Sequence, residues 1–203
     1  MKLPITLFEE MQDYAAKYHV PIISMEGAEL LVRTVTNSKP LSILEIGTAI
    51  GYSTLKIAES MPDDAKIVTI ELDPERVETA RFFIKQSGAE DRIQLLTGDA
   101  GGILSNLNEI FDLVFIDAAK GQYLDYFKKI ETKLSYRAVV IADNVLFRGY
   151  VDSDAVPPRR YRTIVKRLRE YLQYVSNHPH FETNLFRIGD GVAISYHRGT
   201  QCE

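Results

Sequence analysis

The chain has 203 residues, 45% hydrophobic and 26% charged, with a formal net charge of −4, a length that supports one sizeable core and hence a single domain over 1–203. The acidic balance excludes a protein that coats nucleic acid through a general positive field, and no run approaches the roughly 18 to 20 apolar residues that span a bilayer. The single cysteine, Cys202, excludes an intramolecular disulfide, and with no apolar leader near the start it predicts a soluble, cytoplasmic protein.

Residues 5–18 are amphipathic, and a second helix is expected near 25–36. Both read as packing helices or a lid ahead of the first strand. From residue 41 onward short apolar runs alternate with helical-period segments, the pattern of repeated βαβ units around a parallel sheet. Strands are expected at 41–46, 66–71, 92–97, 111–117 and 137–142, several of them apolar at nearly every position, as strands covered on both faces are. Helices fall between them at about 51–60, 74–87, 101–108 and 121–134. Asp73 before Pro74 is an N-cap followed by proline at the first helical position, and Gly88 can stop that helix.

After the fifth strand come a polar loop at 148–156, the pair Pro157-Pro158, and a basic helix to about 175. Two last strands, near 181–187 and 192–197, are joined through Gly189-Asp190-Gly191. A join that short makes an antiparallel hairpin, so one late strand runs against the rest of the sheet. The chain thus divides into N-terminal helices (1–40), a core (41–150), and a basic helix with a C-terminal hairpin (151–203).

The first strand runs into Glu45-Ile46-Gly47-Thr48-Ala49-Ile50-Gly51-Tyr52-Ser53. Glycine suits a backbone that turns sharply and lets a ligand approach. The spacing is E-x-G-x-x-x-G, and the G-x-G-x-x-G of a pyrophosphate-binding turn is absent. Twenty residues past Gly51, the second strand ends in Glu71, where a carboxylate can accept from the hydroxyls of a ribose. The third strand is followed by Gly98-Asp99-Ala100, an acidic side chain for an adenine amino group beside a small residue that leaves room for the ring. In order, at the ends of successive strands, these features imply adenosine without its diphosphate.

Asp117 ends the fourth strand and Asp143-Asn144 the fifth. Neighbouring parallel strands lie about 4.8 Å apart, so adjacent tips present two carboxylates and an amide to one point. Such an all-oxygen set suits Mg²⁺ or a similar ion and poorly suits zinc; otherwise Asp143-Asn144 is a turn and Asp117 a cofactor contact. Lys120 reaches the same pocket. A nearby cation and partial burial disfavour the charged amine, which is what a general base requires, and the other reading is a solvated lysine at a helix start.

LEIGTAIGYS, TIELDPE, GDA, FIDAAKGQY and ADNVLFRG, in this order over 41–150, resemble the cation-dependent O-methyltransferases related to catechol and caffeoyl-CoA methyltransferases. The resemblance implies a Rossmann-like doubly wound α/β fold of about seven strands, mostly parallel, with helices on both faces. It implies S-adenosylmethionine (SAM) as cofactor, with Glu45 and Gly47 in the cofactor turn, Glu71 on the ribose, Asp99 and Ala100 at the adenine, Ser53 at the methionyl part and Asp117 also in contact. Asp117, Asp143 and Asn144 are the implied ligands of Mg²⁺ or Mn²⁺, Lys120 stands at the base position with Asp117 beside it, and a homodimer is implied.

A narrower set, His19-Val20-Pro21-Ile22, Asp143 to Phe147, Asn177-His178-Pro179 and Gly189 to Ser195, is similar to the bacterial tRNA 5-hydroxyuridine methyltransferases, which make 5-methoxyuridine at the wobble position. Ile23 then also lines the cofactor pocket. The N-terminal segment is shorter than is usual for that group. The 5-hydroxyl and 4-carbonyl of the base can chelate one metal as a catechol does, and an anticodon-loop base is readily unstacked. Arg148, Arg159, Arg160 and Arg162, in a stretch with Lys166, Arg167 and Arg169, are the candidates for tRNA phosphates or else a solvated helix face. Three readings compete with a tRNA enzyme. They are a methyltransferase of small catechol-like molecules, a dinucleotide-dependent oxidoreductase, which lacks its phosphate fingerprint, and a non-catalytic adenosyl-binding protein.

Overall fold

A computed structural model describes residues 2–199, so Cys202 lies outside the described residues. The helices are α1 Ile5–Tyr18, α2 Met25–Ser38, α3 Tyr52–Ser60, α4 Pro74–Ser87, α5 Ala100–Asn106, α6 Tyr123–Ile130 and α7 Arg162–Ser176. The strands are β1 Ser42–Ile46, β2 Lys66–Glu71, β3 Ile93–Thr97, β4 Phe111–Ile116, β5 Leu134–Ala142, β6 Phe181–Phe186 and β7 Val192–His197. They form one sheet in the order β3-β2-β1-β4-β5-β7-β6. β1 to β5 pair in parallel, whereas β7 runs antiparallel to both β5 and β6, as the short 187–191 connection requires. No helix of the described residues is long and apolar enough to cross a membrane.

Local chemistry sets the helix ends. The Asp73 carboxylate accepts from the Glu75 and Arg76 amides with Pro74 behind it, and Gly88 closes α4 at φ 69°. Ser24 caps α2 through the Gly27 amide, and Asp99 caps α5 through the Gly102 amide.

Alternation along the strands divides the core. Ile43, Ile67, Leu113, Phe115, Val139 and Ile141 face α1 to α4, and Leu44, Ile46, Val114, Ile116, Val140 and Ala142 face α5 to α7. Each fully buried side chain of this kind contributes about 1.5 to 3 kcal/mol, and both faces of the central strands are covered.

The fifth strand and the helix before it differ from expectation. α6 stops at Ile130, a 3₁₀ turn covers Glu131–Lys133, and β5 begins at Leu134. The β4–β5 register jumps from Phe111↔Leu134 to Leu113↔Val139, with Arg137 at φ 64° inside the strand. This bulge leaves Ser135, Tyr136 and Arg137 out of the ladder, so the strand's first half lacks the apolar signature.

Gly47 has φ +104°, and a Cβ there would run into the backbone carbonyl of Asp117. The turn after β1 and the end of β4 therefore meet backbone to backbone. Gly47→Ala is expected to cost about 2 to 3 kcal/mol through strain and this clash, lowering the melting temperature by about 4 to 12 °C. An unshifted melting curve would show that the two turns need not meet this closely.

Candidate active site

The strand order reverses between β1 and β4, and at such a switch point the crevice beyond the carboxyl ends of the strands is open. A cavity of about 330 Å³ occupies that place. Ile23, Gly47, Ser53, Glu71, Asp99, Ala100, Asp117, Lys120, Asp143 and Asn144 all line it. Glu45 does not, and neither do Arg148, Arg159, Arg160 or Arg162.

Glu71 is already engaged. Its Oε2 accepts from the Ala49 amide at 2.8 Å, and Oε1 accepts from the Leu72 and Asp73 amides, each at 2.9 Å. A carboxylate offers about four acceptor sites, so about one remains for a ribose hydroxyl. The side chain thus braces the glycine turn against the end of β2 and keeps an acceptor for a ligand. Asp99 has the same double position, lining the cavity while holding the Gly102 amide at 2.8 Å.

Glu45 lies beneath the floor, fully buried. Ser53 donates to Oε1 at 2.6 Å and Thr69 to Oε2 at 2.6 Å, with Thr54 donating to Oε2 as well. Thr48 and Thr69 share a further hydrogen bond at 2.6 Å. Burial pushes the Glu45 carboxyl up to about 7, against the pull of these hydroxyls and with help from the Asp117 charge. Of this network the turn motif carries Glu45, Thr48 and Ser53, of which only Glu45 and Ser53 were expected at the site; Thr69, polar within the apolar run KIVTIE, was the available clue. Arg76, Tyr52 and Tyr126 also line the cavity and carried no signal beyond ordinary helical residues.

The acidic side is built by the sheet ladder. Ile116 pairs with Ala142 in parallel, and the ladder extends one step through Asp117 N–H to Ile46 O (2.9 Å) and Asp143 N–H to Ile116 O (3.0 Å). Asp117 and Asp143 are consequently next to each other at the sheet's rim. Burial first, then the Asp117 charge, push the Asp143 carboxyl up to about 6, while the Asn144 amide and Lys120 pull it back. Lys120 Nζ stands 3.4 Å from Asp117 Oδ1, both side chains about three-quarters buried. Among the described residues no three carboxylate, imidazole or thiol groups gather into a metal site. Asp117, Asp143 and Asn144 line the same cavity and could together serve as an all-oxygen donor set; with one Lys120 amine beside two carboxylates, the excess of acidic groups suits a hard divalent cation.

The basic stretch proves heterogeneous. Arg169 donates to the carbonyls of Val151, Tyr150 and Ser153, Arg167 to that of Gly121, and Lys166 faces Glu170 at 3.8 Å. Arg167 and Arg169 thus tie neighbouring segments to α7, whereas Lys166 stays on the exposed face of the helix. Arg159, Arg160 and Arg162 are exposed. The guanidinium groups of Arg160 and Arg148 lie 4.6 and 5.3 Å from the Tyr161 ring centre.

A family model described as O-methyltransferase matches residues 6–198. The chain belongs to this O-methyltransferase family. It is 30% identical over 201 residues to caffeoyl-CoA O-methyltransferase 1 of Eucalyptus globulus, covering 92% of this chain and 79% of that one. Catechol O-methyltransferase B of Danio rerio is 32% identical over 165 residues, covering 78% and 56%. Among solved structures, the O-methyltransferase from Bacillus cereus in complex with SAH superposes with a TM-score of 0.85 at 26% identity, covering 96% of this chain and 91% of that chain. The protein is a SAM-dependent O-methyltransferase of the class I α/β fold.

In this methyltransferase the Glu45 carboxyl is raised from an ordinary 4.5 to about 7 in the folded state. Its contribution to stability is therefore complete below about 4.5 and is lost as pH rises through about 7. Between pH 5 and pH 8, denaturant unfolding of the ligand-free enzyme is expected to lose on the order of 2 kcal/mol more than the Glu45→Gln variant loses. Parallel pH profiles for the two proteins would contradict the buried carboxylate's role.

Proposed function

We propose that the enzyme methylates one oxygen of a small catechol-like acceptor, held by a divalent cation on Asp117, Asp143 and Asn144. The observation that carries this reading is the convergence of those three oxygen donors on the cavity that the cofactor turn also lines. The relatives named for catechol and caffeoyl-CoA support it. Catechol places two hydroxyls on adjacent carbons, a pair that can chelate one ion.

When bound, SAM supplies a sulfonium methyl open to in-line attack and Mg²⁺ or Mn²⁺ supplies charge that stabilises the developing oxyanion. The protein's part is positioning. Glu71 accepts from the ribose, Asp99 and Ala100 flank the adenine, and Ser53, oriented by Glu45, faces the methionyl part together with Gly47, Asp117 and Ile23. Lys120, in its neutral amine form, takes the acceptor's hydroxyl proton as the oxygen–carbon bond forms and the carbon–sulfur bond breaks, the electron pair staying on sulfur. Its 3.4 Å approach to Asp117 keeps the amine at the acidic rim.

A second reading, methylation of 5-hydroxyuridine at the tRNA wobble position, is supported by one observation. Arg159, Arg160 and Arg162 are exposed, with Arg148 and Arg160 beside the same tyrosine ring, a combination suited to phosphate and base contacts.

Labelled SAM and Mg²⁺ with either catechol or tRNA bearing 5-hydroxyuridine separates the two. Transfer to catechol is expected, and transfer to the tRNA alone would replace the first reading with the second. Asp143→Ala is expected to reduce turnover on the order of a hundredfold or more while leaving SAM affinity within about threefold, since most cofactor contacts lie on other strands. Full wild-type turnover in chelator would remove the metal from the proposal.

A further inference from the structure

Asp143 and Asn144 share one peptide unit, and its orientation decides where both side chains go. That unit is unusual. Asn144 is in the left-handed region at φ 54°, and its amide folds back onto Asp143 Oδ1 at 2.7 Å. Asp143 is 3% exposed, so its backbone carbonyl needs a partner inside the protein. The partner is Tyr123, whose hydroxyl donates to Asp143 O at 3.0 Å from the first residue of α6.

Tyr123 is itself held from two sides. Its ring is 1% exposed and packs edge to face on Tyr171 of α7, centres 5.7 Å apart. The 3₁₀ turn that precedes it, Lys120–Gln122, is tied to α7 by the Arg167 guanidinium on Gly121 O at 3.1 Å. On the far side of the peptide unit the chain hangs from the β6–β7 loop, with Val145 N–H on Gly191 O (2.9 Å) and Leu146 N–H on Asp190 O (2.7 Å). Tyr123 and the hairpin loop therefore grip the Asp143-Asn144 turn at its two ends.

We infer that Tyr123 is a positioning residue for the cation: its hydroxyl locks the Asp143-Asn144 peptide plane so that carboxylate and amide converge with Asp117. The inference rests on the metal reading of the site. It also explains why one helix start carries both Lys120 and Tyr123, because the base and the metal turn are then referenced to the same element. Groups outside the ligand shell that orient ligands typically change metal affinity by about 10- to 100-fold when removed.

The test uses the full chain and Mn²⁺ itself, followed by the paramagnetic resonance signal of the free ion, with SAM affinity measured by calorimetry. Tyr123→Phe keeps the ring and removes the hydroxyl. Tyr171→Phe is the control, since the Tyr171 hydroxyl is buried without a hydrogen-bond partner among the described residues. The expected result is Mn²⁺ affinity about tenfold weaker in Tyr123→Phe, SAM affinity within about twofold of wild type, and Tyr171→Phe like wild type in both. Turnover of Tyr123→Phe should recover when Mg²⁺ is raised. Equal Mn²⁺ affinity in Tyr123→Phe and wild type would overturn the inference while leaving the metal site standing. Equal losses of Mn²⁺ and SAM binding in both variants would reduce Tyr123 to a packing residue. Absence of Mn²⁺ binding by the wild type would overturn the metal reading and this inference together.

Discussion

Asp117 and Asp143 leave adjacent parallel strands one residue past the last ladder pair, and hydrogen bonds to Ile46 O and Ile116 O hold their backbones side by side. Burial, and after it the repulsion between these two anions at strand spacing, raises the Asp143 carboxyl. Lys120 offsets part of it from 3.4 Å. The rest of the site holds these two carboxylates in place from several sides. Gly47 lets the turn after β1 touch the Asp117 carbonyl, Tyr123 fixes the Asp143 carbonyl, and the β6–β7 loop secures the residues that follow.

The cofactor side uses the opposite strategy. Its carboxylates are surrounded by donors: Glu71 by three backbone amides and Glu45 by three hydroxyls. Hydrogen bonds favour a charged carboxylate and burial disfavours it. At Glu45 burial wins, because the group is entirely enclosed and its partners are neutral hydroxyls. Family likeness places Glu45 among the cofactor residues, whereas the geometry puts it one layer below, acting through Ser53. The two polar networks meet at Asp117, which lines the cavity and whose charge adds to the effect of burial in raising the carboxyls of both Glu45 and Asp143.

The basic helix shows how charge counting misleads. Six cations between Arg159 and Arg169 look like one patch in the sequence. In the fold, Arg167 and Arg169 donate to backbone carbonyls of Gly121 and of the 150–153 loop, which ties those segments to α7. Arg159, Arg160, Arg162 and Lys166 remain exposed, and the guanidinium groups of Arg148 and Arg160 both lie close to the Tyr161 ring.

The sequence by itself determined the layer order, the parallel sheet with one reversed strand, and the residues at the carboxyl ends of β1 to β5. These follow from local causes: periodicity sets helix or strand, Asp73-Pro74 and Gly88 set ends, and a three-residue glycine join forces a hairpin. The β5 bulge stayed hidden because Ser135, Tyr136 and Arg137 lie outside the β4–β5 ladder and carry no apolar alternation that would mark them as strand. Tertiary structure alone decided that Glu45 sits below the pocket, that Arg167 and Arg169 are fasteners, and that Tyr123 reaches across twenty residues to Asp143. Each of these is a contact between distant segments, made by a side chain whose type is common and whose meaning depends on which carbonyl or hydroxyl the packed fold brings within hydrogen-bond reach.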